Sequence, residues 1–134
     1  LNLLGKRETQ IYGTQSFEEY YEELKGRFTK LELVYLQSNH EGQLIDWIQE
    51  FGFDQHVNGI VLNAAGYTHT SIALRDSISA IANKVIEVHI SDITKREEFR
   101  QFSYITEVCD AFICGKGLMG YDEAIQLLIE SAAN

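Results

Sequence analysis

The chain has 134 residues, about one domain, and its 45% hydrophobic and 23% charged residues exclude a disordered tail, a collagen-like fibre and a coiled coil. With 11 basic against 20 acidic residues the net charge is −9, so phosphate backbones and anionic lipid repel it, and neither nucleic acid nor a membrane is an expected partner. No apolar run approaches the ~18–20 residues of a membrane span and no charged-then-apolar leader opens the chain, so the expectation is a soluble, cytoplasmic protein with one domain over residues 1–134.

Ser16 followed by Glu19 is a capping box that opens a helix, along which Phe17, Tyr20, Tyr21, Leu24 and Phe28 recur at helical spacing. Residues 31–37 (LELVYLQ) read as a buried strand. The stretch 41–51 carries Leu44, Ile45, Ile48 and Phe51 on one face, with Gly52 as its C-cap. Residues 59–63 (GIVLN) form a second strand. Thr70 or Ser71 caps a third helix with an Ile72, Leu74, Ile78 and Ile81 stripe. Residues 84–90 (KVIEVHI) give a third strand, 95–100 a helical turn, and 111–114 a fourth strand. A last helix over 121–132 turns Ala124, Ile125, Leu128 and Ile129 inward. Helices alternating with short apolar strands predict an α/β fold with a parallel sheet.

Strands buried on both faces read as nearly continuous apolar runs, so the polar exceptions are informative. They are Ser38, Asn39 and His40 after the first strand, Asn63 ending the second, and Glu87, His89 and Ser91 at the third. All are carboxyl ends of strands, where open α/β sheets bind their ligands. Glu87 and His89 stand two apart and share one side of their strand. A carboxylate there orients the imidazole and favours its protonated, acidic form. The segment 1–13 carries Lys6, Arg7 and Tyr12. A tyrosine serves as a base only where cations stabilise the tyrosinate, and a basic, glycine-bearing loop suits a lid over an anionic substrate. His69 lies at a helix start, His56 has no partner in the sequence, and no metal-ligand spacing, serine-nucleophile or nucleotide motif is present. Cys109 and Cys114 are expected to be buried, reduced thiols.

These residues resemble one family from end to end. LNLLGKRE (1–8), IYG (11–13), QSNHEGQLIDWI (37–48), GIVLNAAGYTHTSIALRD (59–76), VIEVHISDITKREEFR (85–100) and GKGLMGYDEAI (115–125) are similar to the blocks of type II 3-dehydroquinate dehydratase. The resemblance implies a flavodoxin-like three-layer sandwich with a parallel sheet, assembled as a dodecamer from trimers. It implies cofactor-free, metal-free trans-dehydration of 3-dehydroquinate to 3-dehydroshikimate through an enolate, in the shikimate pathway. In that family's pattern Tyr12 is the base and Arg7 the cation that keeps it ionised. His89 is the general acid and Glu87 its orienting carboxylate. Asn63, His69 and Arg100 contact substrate hydroxyls, Ile90 and Ser91 the substrate carboxylate. Asp76 reaches a neighbouring subunit's site.

The departures carry expectations of their own. The family opens with a strand and Gly-Pro-Asn before LNLL, so the first residues are expected to be missing from this chain. Thr9 stands where the family has proline, and Ala65-Gly66 stands in swapped order. There is no proline at all, where ~5% usage would give about six or seven. The competing reading is an inactive relative with a binding or assembly role; retention of Arg7, Tyr12, Glu87, His89 and Arg100 argues against it.

Overall fold

The computed structural model describes residues 15–133, and these divide between Asn39 and His40 into two compact units. In the first unit, Ser16 Oγ accepts from the Glu19 backbone N–H at 3.2 Å and starts α1 (Phe17–Arg27). Acidic residues at its first turn and Lys25 and Arg27 at its last complement the helix dipole. Phe17, Tyr20 and Leu24 are buried, and the Tyr21 hydroxyl donates to the Leu33 carbonyl at 2.7 Å. The expected strand over 31–37 has no ladder pairing among the described residues. Its apolar side chains Leu31, Val34 and Leu36 are exposed. Extended backbone becomes a strand only where another strand takes up its N–H and C=O groups, so apolar, β-favouring composition alone did not make one.

The second unit holds the other helices and the sheet. Its elements are α2 (Glu41–Gly52), β1 (Ile60–Leu62), α3 (Ile72–Ala80), β2 (Val85–His89), β3 (Ala111–Cys114) and α4 (Met119–Ala133). The three strands are parallel in the order β1-β2-β3, with Leu62 opposite Glu87 and His89 opposite Cys114. The sequence predicted four strands; three are present among the described residues.

All five residues of β2 are buried, as a central parallel strand requires, and their alternation defines two faces. Val85 joins Leu62, Leu74, Ile78, Ile48 and Ile105 in a cluster with α2 and α3. Val88 faces the other way, where a Cβ on Gly120 would come within 3.3 Å of it and 3.4 Å of Ile113. Gly120 thus marks a close approach of α4 to the sheet, giving layers of helix, sheet and helix. Glu87 and His89 share the Val85 face.

Three local expectations change, and one open alternative closes. Ser71, not Thr70, caps α3, its Oγ accepting from Leu74 N at 2.9 Å. Ile72 is 57% exposed, because two helical steps separate it from Leu74 by about 200°. Gly52 ends α2 inside the helix, with Phe53 as the cap residue. Its role is close packing: a Cβ there would lie 2.5 Å from Ile81. The turn expected over 95–100 is two short 3₁₀ turns, Ile93–Lys95 and Glu98–Arg100.

Candidate active site

Glu87 is completely buried, and an isolated carboxylate there would carry a large desolvation cost. Three donors compensate it. His89 Nε2 lies 2.6 Å from Glu87 Oε2, Ser103 Oγ donates to the same oxygen at 3.2 Å, and Thr106 Oγ1 donates to Oε1 at 2.6 Å. His89 is 5% exposed and packs 5.8 Å from the Phe112 ring. The pair expected from the strand spacing is thus a hydrogen-bonded dyad held by a loop.

Asn63, just past β1, has its amide fixed at both ends. Oδ1 accepts from Ala65 N at 3.0 Å and Nδ2 donates to the Tyr121 hydroxyl at 2.8 Å. Ala65 takes a left-handed φ of 51°, which costs an L-residue with a Cβ about 1–2 kcal/mol. A Cβ on Gly66 would touch nothing within 4 Å, so the strain sits on the residue less suited to it.

His69 ends the 3₁₀ turn Ala65–His69. Its Nδ1 lies 2.6 Å from the Phe102 carbonyl oxygen, an acceptor only, so Nδ1 carries a proton and Nε2 is left to meet a ligand. Beyond β2, the carbonyls of Ile90 and Ser91 accept from Gly117 N and Gly115 N. Ser91 Oγ accepts from Arg96 Nη1 at 3.2 Å. Gly115 and Gly117 both have positive φ, which lets this loop fold back over the end of β2. Arg100 Nε lies 2.8 Å from Glu97 Oε2, off the N–H axis, so the contact is an ion pair rather than a directional hydrogen bond. Asp76 is exposed on α3.

The structure therefore brings Glu87 and His89 together and puts Asn63, Ile90 and Ser91 at carboxyl ends of neighbouring strands. His69 and Arg100 are carried by 3₁₀ turns that pack on each other. Arg7 and Tyr12 lie outside the described residues, as does the rest of the expected lid. Ser38 and Asn39 belong to the first unit. The sequence reading missed Ser103, Thr106 and Tyr121. The only trace of them was their polarity, and they are 16, 19 and 58 residues from their partners.

Both cysteines are free and half-buried rather than buried. Burial, followed by the negative charges of Glu87 and Asp110, pushes the Cys109 thiol up to about 12. Burial, then Asp92, raises Cys114. Asp92 itself is held below the usual carboxylate range, chiefly by the Thr94 hydroxyl donating to it at 2.5 Å. Among the described residues no three His, Cys, Asp or Glu side chains converge as a metal-ligand set. No described helix is long and apolar enough to cross a membrane.

The arrangement is that of a parallel α/β protein with a buried carboxylate–imidazole pair at the carboxyl edge of its sheet. Residues 1–129 match the sequence model of the family described as Dehydroquinase class II. A 3-dehydroquinate dehydratase of Campylobacter jejuni is 49% identical over 133 residues, covering 97% of this chain and 82% of that protein. The crystal structure of the type II dehydroquinase from Butyrivibrio crossotus superposes with a TM-score of 0.90 at 44% identity, over 96% of this chain and 90% of that one. The type II dehydroquinase from Propionibacterium acnes gives 0.88 at 36% identity, over 95% and 88%. The chain belongs to the class II dehydroquinase family.

Proposed function

We propose that the protein dehydrates 3-dehydroquinate to 3-dehydroshikimate, a lyase step of the shikimate route to aromatic amino acids. The observation that carries this reading is the buried Glu87–His89 dyad at the carboxyl edge of the sheet, in a chain that matches the family over residues 1–129. Eliminating water beside a ketone needs a base to remove the α-proton, stabilisation of the resulting enolate, and an acid for the departing hydroxyl. Tyr12 is assigned as the base, with Arg7 keeping it ionised. Loss of the proton gives the enolate. Its collapse forms the carbon–carbon double bond and expels the hydroxyl, which takes a proton from His89 and leaves as water. Glu87 stabilises the imidazolium before that transfer.

Asn63, His69 and Arg100 are assigned to substrate hydroxyls. Ile90 and Ser91 are assigned to the substrate carboxylate, and Asp76 to the site of a neighbouring subunit. The fixed amide of Asn63 and the defined tautomer of His69 suit hydroxyl recognition, since each offers an acceptor or donor of known direction. The reading takes residues 1–134 as one dehydroquinase domain working in the cytoplasm without cofactor or metal, in a dodecamer built from trimers.

The test is to mix the purified protein with 3-dehydroquinate and follow the ultraviolet absorbance of the conjugated enone. The expected result is a steady rise that Tyr12→Phe lowers by about 10²–10⁴-fold. A flat trace from folded wild-type protein would overturn the assignment in favour of an inactive relative.

A further inference from the structure

The loop that follows Arg100 brings two hydroxyls onto Glu87, and the direction of the Ser103 hydrogen bond is determined. Ser103 Oγ accepts from Ile105 N at 3.2 Å and from Thr106 N at 3.1 Å. A hydroxyl has two lone pairs and one proton, so with both lone pairs engaged its proton goes to Glu87 Oε2, 3.2 Å away. Thr106 Oγ1 reaches the other carboxyl oxygen at 2.6 Å, short as expected for an O–H donating to a charged acceptor.

The loop does not need these two bonds to keep its place. Ile105 is fully buried in the α2–α3 cluster. Tyr104 N donates to the Thr68 carbonyl at 2.9 Å. Arg75 Nη1 donates to the Tyr104 carbonyl at 2.9 Å, and its Nη2 pairs with Glu107 at 3.0 Å. The loop is pinned from α3 and the Ala65–His69 turn, and the hydroxyls are free to serve the carboxylate.

Both carboxyl oxygens of Glu87 are thus engaged by hydroxyl groups. As a carboxylate Glu87 acts only as an acceptor, and the third contact, His89 Nε2 at 2.6 Å, must be an N–H donor. Resting on the reading of His89 as the general acid, we propose that Ser103 and Thr106 are positioning residues. They hold Glu87 as an acceptor-only carboxylate, lock His89 with Nε2 protonated, and make Nδ1 the nitrogen that delivers the reacting proton. Without them the carboxylate can turn, and the imidazole can adopt the other tautomer.

Two measurements test this independently. In wild-type protein at a pH where the ring is neutral, long-range nitrogen–proton correlation of the histidine rings is expected to show the one remaining His89 proton on Nε2. A neutral ring with its proton on Nδ1 instead would overturn the proposal whatever the rate of catalysis. In the ultraviolet assay, Thr106→Val, which keeps the shape and removes the hydroxyl, is expected to lower kcat by about ten- to a hundred-fold. KM is expected to hold within about two-fold, and Thr106→Ser to restore most of the rate. Thr106→Val at wild-type kcat, or a loss that Thr106→Ser fails to rescue in equally folded protein, would overturn it. Ser103→Ala is the weaker probe, since it also strips the caps from Ile105 N and Thr106 N. Failure of the parent reading has a different signature: His89→Ala would keep its rate while the Nε2 tautomer persisted in wild type.

Discussion

The two ends of β2 both carry polar side chains, and they put them to opposite uses. At the amino end, Asp110 Oδ2 accepts from Val85 N at 2.8 Å while Asp110 N donates to the Val85 carbonyl. Asn83 Nδ2 donates to the carbonyls of Phe51 at 2.7 Å and Asp54 at 2.9 Å, and Lys84 Nζ donates to Ser131. A cavity of about 260 Å³ lies there, lined by Ile78, Ile81, Asn83, Lys84, Val85 and Asp110 among others. At the carboxyl end, Glu87 and His89 bond to each other and to two hydroxyls. At the amino end Asp110 and Asn83 satisfy backbone groups; at the carboxyl end the side chains bond to one another around one buried carboxylate.

That contrast can be broken by substitution at either end. The largest effect is expected from His89→Ala, which should lower kcat by about 10²–10⁴-fold with the fold retained. Glu87→Gln comes next. The amide presents an N–H₂ where only acceptors fit, so about 1–3 kcal/mol of stability should be lost together with much of kcat; thermal melts and the enone assay read the two separately. Asn83→Ala, at the other end, should cost about 1–3 kcal/mol through two abandoned carbonyls and leave kcat per folded protein unchanged. A large kcat loss there would erase the distinction between the two ends.

Smaller effects sharpen it. Ala65→Gly should raise stability by about 0.5–1 kcal/mol, the left-handed strain relieved less the entropy that glycine adds to the unfolded chain; a denaturant titration checks this. A drop would mean that the strain is not at Ala65. A pH-dependent effect is expected at Cys109. Its folded-state value is raised from 9.0 to about 12, so its protonated form is favoured by the fold. That contribution is complete below about pH 9 and is lost as pH rises towards 12. Stability of wild type should fall across this window more steeply than that of Cys109→Ala, measured by melts at pH 8 and pH 10.

The sequence carried the site's centre because the carboxylate and imidazole lie two residues apart on one strand, where a period of two dictates a shared side. It carried the parallel sheet because buried strands are short apolar runs between amphipathic helices. What it did not carry depends on separation. Ser103 and Thr106 sit in irregular backbone with no periodicity to mark them, and their meeting with Glu87 is set by the packing of Ile105 and Arg75. Tyr121 reads as one more aromatic at the start of a helix until its hydroxyl is found on Asn63. Residues 31–37 show a different limit: their composition favours a strand, and no strand that pairs with them is found among the described residues. At Gly52 the glycine was legible and its reason was not, since a close approach to Ile81 leaves no local signature.

The most direct measurement compares the rate of enone formation from 3-dehydroquinate by wild-type, His89→Ala and Asn83→Ala proteins at equal folded concentration. Wild type and Asn83→Ala are expected to agree within about two-fold, with His89→Ala at least about a hundred-fold slower. A His89→Ala rate close to that of wild type would contradict the assignment of the proton-delivering site to the carboxyl end of β2.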